Sequence, residues 1–205
     1  MAAAPEHGYA PRTTRPYPAI GPHTVEDWLD LPPTVDGSRI ELILGDLHVT
    51  SAPSGEHQYA ASRLIRPLED AVAAARQTGF YVVTAVGVRI TTPFRTALVP
   101  DVVVLNQPPV GASFPAEALA LAVEVWSPGN SLAERQFTML GYAGAGVPFF
   151  WAVDRQGAHD GLRLTAYRLD KGAYREENAL KPGEAAAVTA SPVPITLDVA
   201  DLTVY

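Results

Sequence analysis

Three acidic residues lie inside apolar stretches, where a charged side chain is costly. Glu41 interrupts IELIL, Asp101 follows a proline in PDVVV, and Glu124 interrupts AVEVW. Such β-branched runs are typical of buried strands, and a buried carboxylate must be hydrogen-bonded, paired or bound to a metal. Several carboxylates in one sheet repel each other unless a cation neutralises them. Because Mg²⁺ prefers oxygen ligands and combines one or two carboxylates with waters and phosphates, the pattern favours a magnesium site for phosphodiester chemistry.

Other kinds of catalytic site have less support in the residues. The chain has no cysteine, which excludes disulfides and thiolate metal sites, and no histidine spacing makes a zinc motif. His57 lies near a predicted helix start, where a histidine is usually solvated or capping. Ser127 lacks the glycine-flanked turn of the serine hydrolases and has no evident histidine partner, so a serine hydrolase is not expected.

The composition is that of a globular protein of 205 residues, 47% apolar, with a formal charge of −7. The acidic balance argues against a broad surface that coats nucleic acid, although a local basic groove is compatible with it. No apolar run is long enough to span a bilayer, and the N-terminal segment lacks the layout of a signal peptide. We therefore expect no membrane partner and a cytoplasmic location. The basic residues are almost all arginines, since the only lysines are Lys171 and Lys181.

The order of elements predicts an α/β fold, a mixed β-sheet flanked by helices. Residues 1–22 predict a flexible N-terminal arm, and residues 23–205 a single domain. Helices are expected from Thr24, from Ser54 to Gly79 and from Ser131, and two of these starts have capping-box spacing. The apolar face expected for the long helix consists of Ala60, Leu64, Leu68, Val72 and Ala75.

The predicted strands form an N-terminal hairpin around Gly45-Asp46, a central group and a C-terminal β-meander. The hairpin and central strands are expected at Arg39–Leu44, Leu47–Ser51, Phe80–Val86, Leu98–Leu105, Ala118–Trp126 and 147–154.

The motifs RIELILGDL, VPDVVVL, LAVEVWSPGNS and GYAGAGVPFFWAVD follow one another in a specific order. In this order the chain resembles the Uma-type restriction endonucleases, formerly a domain of unknown function, of the PD-(D/E)xK nuclease superfamily. The resemblance runs from Thr24 to the C-terminus. It implies a restriction-endonuclease-like core and a Mg²⁺-dependent DNA endonuclease, with Mn²⁺ as a substitute metal. Asp101 and Glu124 match the metal ligands, and Glu41 matches a further catalytic acid of the early hairpin.

The chain departs from this family at the position of a catalytic lysine. The superfamily's lysine two residues after the Glu falls on Trp126, and the alternative lysine on the next helix falls on Thr138. Glu134, Thr138 and Tyr142 share one helix face at i, i+4 spacing, so Glu134 and Thr138 remain candidate catalytic residues, although Glu134 also has the position of a capping residue. The nearby replacements are Arg135, Gln136 and Arg89, and an arginine hardly ever gives up its proton.

Three interpretations remain open at this point. The chain is a Mg²⁺-dependent DNA endonuclease, or a catalytically impaired nuclease fold that binds nucleic acid or protein, or an α/β protein whose strand acids pair with arginines such as Arg39 and Arg89. A homodimer is plausible by analogy with nucleases that cut two strands.

Overall fold

The computed structural model describes residues 20–93, 95–155, 161–183 and 185–204. Most of the predicted arm, residues 1–19, lies outside this part of the chain. The N–H group of Gly21 donates to the carbonyl of Leu44 at 2.7 Å, and that of His23 donates to the carbonyl of Gly45 at 3.0 Å. The first described residues therefore lie against the turn of the N-terminal hairpin.

The described residues form three α-helices, α1 (Val25–Leu29), α2 (Gly55–Ala74) and α3 (Leu132–Gly144). Both predicted capping boxes are present, at Thr24 and at Ser131, and they satisfy backbone N–H groups that the first helical turn leaves unpaired. In the described chain, no helix combines the length and the apolar character that crossing a membrane requires.

Helix α2 ends earlier than predicted. Its last residue is Ala74 rather than Gly79, and Pro67 lies within the helix without ending it. Ala75 is the C-cap and is exposed, so it does not belong to the apolar face. The other four residues expected on that face are buried as predicted, namely Ala60, Leu64, Leu68 and Val72.

The strands form two large sheets and one small one. The first sheet has the order β2-β1-β5-β4-β7, the second β11-β10-β9-β8-β6-β3, and β12 pairs with β13. Within the second sheet β8 and β9 are parallel, and its other pairs are antiparallel. The strands are β1 (Arg39–Ile43), β2 (Asp46–Thr50), β3 (Tyr81–Thr84), β4 (Gly87–Thr91), β5 (Thr96–Leu98), β6 (Val102–Leu105), β7 (Ser113–Pro115), β8 (Leu119–Val125), β9 (Phe149–Arg155), β10 (Leu162–Asp170), β11 (Ala173–Leu180), β12 (Ala186–Val188) and β13 (Ile195–Leu197).

The N-terminal hairpin is confirmed, with its turn one residue earlier than predicted. Ile43 pairs with Asp46, so the two turn residues are Leu44 and Gly45, with φ of 51° and 82°. A two-residue hairpin turn of this kind needs positive φ at both positions. A side chain at Gly45 would also collide with Gly21, since a Cβ atom there would lie 2.5 Å from its carbonyl oxygen.

The strand predicted at Leu98–Leu105 is wrong as a single element. The chain leaves β5 in the first sheet at Leu98 and enters β6 in the second sheet at Val102. Pro100 lies between them, and a proline cannot donate to a strand ladder, which explains the break. Asp101 therefore lies at the junction between the two large sheets, directly before β6.

The second sheet carries a hydrophobic core on each side. Helix α2 and residues 186–202 cover one side, and α3 with strands β4 and β5 covers the other. Trp151 and Tyr142 are the largest fully buried side chains of these two cores. Side chains of both helices reach the end of β8, since His57 of α2 lies 3.4 Å from Ser127 and Tyr142 of α3 donates to Glu124.

A surface ion pair in the hairpin of β10 and β11, called the C-terminal hairpin below, is expected to make stability depend on pH. Glu177 accepts two hydrogen bonds from Arg168 and one from Thr189, and these lower its pKa to about 2. A depressed carboxyl pKa contributes stability above the unfolded-state pKa, and that stability is lost as the pH falls through the folded value. Since the pair is partly exposed, we expect Glu177→Gln to cost about 0.5–1 kcal/mol at neutral pH.

Urea unfolding at neutral pH and near pH 3 measures this effect. The difference between wild type and Glu177→Gln should shrink at the lower pH, and Arg168→Ala should remove the same dependence. A difference that stays constant between the two pH values contradicts the assignment.

Candidate active site

The junction of the two sheets holds Asp101 in a fixed orientation. Its backbone N–H donates to the carbonyl of Val123 at 3.1 Å, and its Oδ2 accepts from the N–H of Val125 at 2.8 Å. Its Oδ1 lies 2.5 Å from Nη1 of Arg39 and 2.7 Å from Nε2 of His57. Burial alone raises the pKa of Asp101, but His57, Arg39 and the Val125 N–H outweigh it and hold the pKa below its usual value. Asp101 is therefore an ionised carboxylate at neutral pH.

Glu124 lies next to Asp101 near the end of β8 and is also buried. The hydroxyl of Tyr142, from α3, donates to its Oε1 at 3.0 Å. Burial raises the pKa of Glu124 well above its usual value, and the negative charges of Asp101 and Glu41 raise it further. A cation placed beside this carboxylate would favour its ionised form and oppose that rise.

Glu41 reaches the same junction from β1. Its Oε1 accepts from the backbone N–H of Val99 at 2.8 Å, on the link that carries Asp101. Burial raises its pKa, and the charge of Asp101 adds to the rise. The structure thus brings together the three acids that the sequence singles out, Glu41, Asp101 and Glu124.

Two basic side chains, Arg39 and His57, accompany Asp101, and neither is among the site residues expected from the sequence. Arg39 forms the ion pair that the third interpretation suggests, whereas Arg89 donates to Ser113 instead. His57 is not a solvated residue as expected, because its Nε2 contacts Asp101. Its backbone N–H does take part in the helix cap, since it donates to Oγ of Ser54 at 3.2 Å. The contact of His57 joins a helix to the sheet junction and leaves no periodic signal, so sequence spacing alone does not reveal it.

Ser127 has a histidine neighbour, contrary to the expectation. Its Oγ lies 3.4 Å from Nδ1 of His57, at the long end of hydrogen bonding. Both residues line a surface cavity together with Trp126 and Arg155. A chain of contacts therefore connects this cavity to Asp101 through His57.

The residues that the sequence singles out on α3 differ in their contacts with Glu124. Tyr142 contacts it, and Thr138 lies one turn earlier on the same face and is partly buried. Glu134 is exposed, and its Oε2 accepts from the N–H of Ser131 at 2.6 Å, which confirms it as a capping residue. The catalytic roles of Glu134 and Thr138 stay predictions.

Trp126, at the position where the resemblance implies a lysine, contacts the guanidinium of an arginine. The guanidinium of Arg135 lies 5.6 Å from the centre of its ring, Nη1 of Arg135 lies 3.3 Å from Oδ2 of Asp154, and Nη2 donates to the carbonyl of Ser127. Arg135 thus occupies the outer rim of the site.

The Tyr142 hydroxyl is expected to support both stability and metal binding. Tyr142→Phe removes a buried hydrogen bond to a carboxylate, and we expect a loss of about 1–3 kcal/mol in the free energy of unfolding. Tyr174→Phe is a matched control, because its hydroxyl donates to the backbone carbonyl of Val147 at 2.9 Å. Urea unfolding with and without Mg²⁺ measures both. Only Tyr142→Phe should weaken the response to Mg²⁺, and an equal response in both variants contradicts the role of this hydroxyl.

Comparison with known proteins gives the family. A model of the Uma2 family, described as "Putative restriction endonuclease", matches residues 25–200. The chain belongs to the Uma2 family. A crystal structure described as a "putative nuclease belonging to DUF820" from Anabaena variabilis is similar in fold, with a TM-score of 0.67 and 22% identity. The match covers 88% of this chain and 97% of that chain. No curated protein matches the chain.

Membership of the Uma2 family and the fold confirm the restriction-endonuclease-like architecture that the motifs predict. Together they indicate a nuclease-type protein. Glu41, Asp101, Glu124, Trp126 and Thr138 all lie within the matched residues 25–200, and their catalytic roles stay predictions.

Proposed function

We propose that this Uma2 protein is a nuclease that hydrolyses phosphodiester bonds in DNA and depends on Mg²⁺, with Mn²⁺ as a substitute. The observation that carries the proposal is the meeting of Glu41, Asp101 and Glu124 at one junction. Buried carboxylates destabilise a fold unless a cation neutralises them, and a family of nuclease type supplies a reason for keeping them.

The donor set fits a magnesium ion that retains waters. Among the described residues, no group of three or more His, Cys, Asp or Glu side chains is placed so that the group could hold a metal ion. Mg²⁺ does not need such a group, since it is usually held by one or two carboxylates together with waters and substrate phosphates. Asp101, directly before β6, and Glu124, in the neighbouring strand β8, supply two such carboxylates. Because Oδ1 of Asp101 already contacts Arg39 and His57, a metal at this oxygen must displace at least one of them.

The protein's own groups orient these ligands. The Val125 N–H fixes Asp101, the Tyr142 hydroxyl fixes Glu124, and Glu41 adds negative charge that strengthens cation binding. A bound divalent ion lowers the pKa of its water and stabilises charge that develops on the phosphate. Hydrogen bonds from neighbouring groups to ligands commonly tune metal affinity, so Tyr142 and the Val125 N–H are part of the site.

A second function, binding without cleavage, is favoured by the residues at Trp126 and Thr138. A nuclease fold that lacks its lysine could still bind metal and nucleic acid. This alternative predicts metal-dependent DNA binding without strand cleavage under any metal.

Incubation of supercoiled plasmid with the protein in Mg²⁺, Mn²⁺ or EDTA tests the proposal. We expect nicked or linear DNA with either metal and none with EDTA. Nicking shows independent strand cuts, whereas direct linearisation favours the homodimer, which stays a prediction. Binding in both metals with no cleavage supports the second function. Neither binding nor cleavage contradicts both.

A further inference from the structure

The site obtains its positive charge from a residue other than lysine. The two positions at which the family's lysine is expected hold Trp126 and Thr138. Lys171 lies in the turn between β10 and β11, and Lys181 directly follows β11, so both belong to the C-terminal hairpin. The cation that balances the three carboxylates must therefore be an arginine or a histidine.

Arg39 lies among these carboxylates. It begins β1 two residues before Glu41, so both side chains leave the same face of the strand. Its Nη1 lies 2.5 Å from Oδ1 of Asp101 and 3.5 Å from the carbonyl oxygen of Val99. Burial raises the pKa of both Glu41 and Glu124, and the positive charge of Arg39 opposes that rise in each. One guanidinium thus acts on all three acids.

The other arginines considered for this role point elsewhere. Arg135 pairs with Asp154 and packs over the ring of Trp126. Arg89 donates to Ser113 in the first sheet. In the described part of the chain, neither forms an ion pair with the carboxylates of the junction.

Arg39 also keeps hydrogen-bond donors for an incoming anion. Among the described residues, the hydrogen bonds of its guanidinium all use Nη1, and 23% of its side chain is exposed. Within the described ranges Nε and Nη2 have no hydrogen-bond partner, so both can donate to a ligand. The planar fork of a guanidinium matches the spacing of phosphate oxygens.

We propose that Arg39 takes the place of the missing lysine: its guanidinium balances the three carboxylates and donates hydrogen bonds to a non-bridging oxygen of the scissile phosphate. This inference rests on the proposed function. Arginine keeps its proton at working pH, so Arg39 binds the phosphate and stabilises its charge without taking a proton from water. A metal that displaces Arg39 from Asp101 would release the guanidinium beside the phosphate that the metal binds.

The salt dependence of DNA binding tests the phosphate contact without relying on cleavage. Duplex DNA is titrated in Ca²⁺ at several salt concentrations with wild type, Arg39→Ala and Arg89→Ala. Loss of one phosphate contact lowers the slope of log affinity against log salt by about 0.9. We expect this decrease for Arg39→Ala, whereas Arg89→Ala should keep the wild-type slope. Equal slopes in all three proteins overturn the phosphate contact.

Cleavage rates test whether Arg39 does the work of a catalytic lysine. Arg39→Ala should slow plasmid cleavage by roughly a hundredfold to a thousandfold, as removal of one donor to a developing charge does in other enzymes. The double variant Arg39→Ala/Thr138→Lys should cleave about tenfold faster than Arg39→Ala, because position 138 shares a helix face with Tyr142. An unchanged rate in Arg39→Ala overturns the proposal, and a double variant as slow as Arg39→Ala overturns the replacement of lysine by Arg39.

Two further measurements separate failures of folding and of function. If Arg39→Ala does not fold, Arg39→Lys replaces it in these tests. Lysine keeps the positive charge but lacks the planar guanidinium, so the salt dependence of DNA binding should equal that of wild type while cleavage slows by roughly tenfold. If the wild type neither binds nor cleaves DNA, the proposed function fails and the phosphate contact fails with it. Melting curves then decide the charge-balancing role, since Arg39→Lys should melt above Arg39→Ala in EDTA, and equal melting temperatures overturn it.

Discussion

Asp101→Asn is expected to abolish cleavage and to remove the stabilisation that Mg²⁺ gives the fold. The substitution keeps the size of the side chain and deletes the charge that would hold the metal. A bound ion contributes several kcal/mol of charge stabilisation in the transition state, so we expect the rate to fall by roughly a thousandfold or more. A ligand that binds only the folded state raises its melting temperature, and that rise should vanish with Asp101.

The same substitution is expected to lower stability in EDTA. Asp101→Asn leaves Arg39 and His57 facing a neutral amide at a buried junction. Removing one partner of a buried pair typically costs about 3–5 kcal/mol, and the partial exposure of Arg39 places the expected loss at about 2–3 kcal/mol. Urea unfolding in EDTA measures it. Asp70→Asn is the matched control, because Asp70 pairs with Arg66 at 3.6 Å on the exposed face of α2. Full metal stabilisation in Asp101→Asn contradicts its role as a ligand.

Glu124→Gln is expected to have the opposite effect on stability while also abolishing cleavage. Burial, then the charges of Asp101 and Glu41, raise the pKa of Glu124. A carboxyl whose folded pKa is raised stabilises the fold at low pH, and this contribution is lost as the pH rises through the folded value. Gln keeps an oxygen that can accept from the Tyr142 hydroxyl and carries no charge, so the variant should be more stable than wild type at neutral pH in EDTA.

Urea unfolding of wild type and Glu124→Gln in EDTA at several pH values measures this difference. The gain should grow as the pH rises and should disappear at acidic pH. Saturating Mg²⁺ should reduce or reverse the gain, because only wild type keeps the ligand. A Glu124→Gln protein that is less stable than wild type at neutral pH in EDTA contradicts the account.

Local patterns predict the elements of this fold well. The capping boxes at Thr24 and Ser131, the hairpin around Gly45 and the buried face of α2 all depend on residues close together in the chain. The three acids are also visible in the sequence, since a charge in an apolar strand is conspicuous. Their meeting at one junction depends on strand order, which no local pattern encodes.

The predictions that differ from the structure fail because of contacts between residues far apart in the chain. The strand through Asp101 divides at Pro100 because the two halves join different sheets, although the apolar composition is continuous. His57 has the sequence context of an ordinary helix start, and only the packing of α2 on the second sheet brings it to Asp101. Arg39 does carry a usable signal, because residues two apart on a strand share a face; its spacing from Glu41 predicts a cation beside the acids.

Titration of Mn²⁺ into the protein, with free Mn²⁺ followed by electron paramagnetic resonance, tests most directly whether the junction carboxylates hold a divalent ion. We expect wild type to reduce the signal of free Mn²⁺, Mg²⁺ to compete for the site, and Asp101→Asn and Glu124→Gln to bind Mn²⁺ far more weakly. Equal Mn²⁺ binding by wild type and both variants would contradict the account, because the ion would then lie elsewhere in the chain.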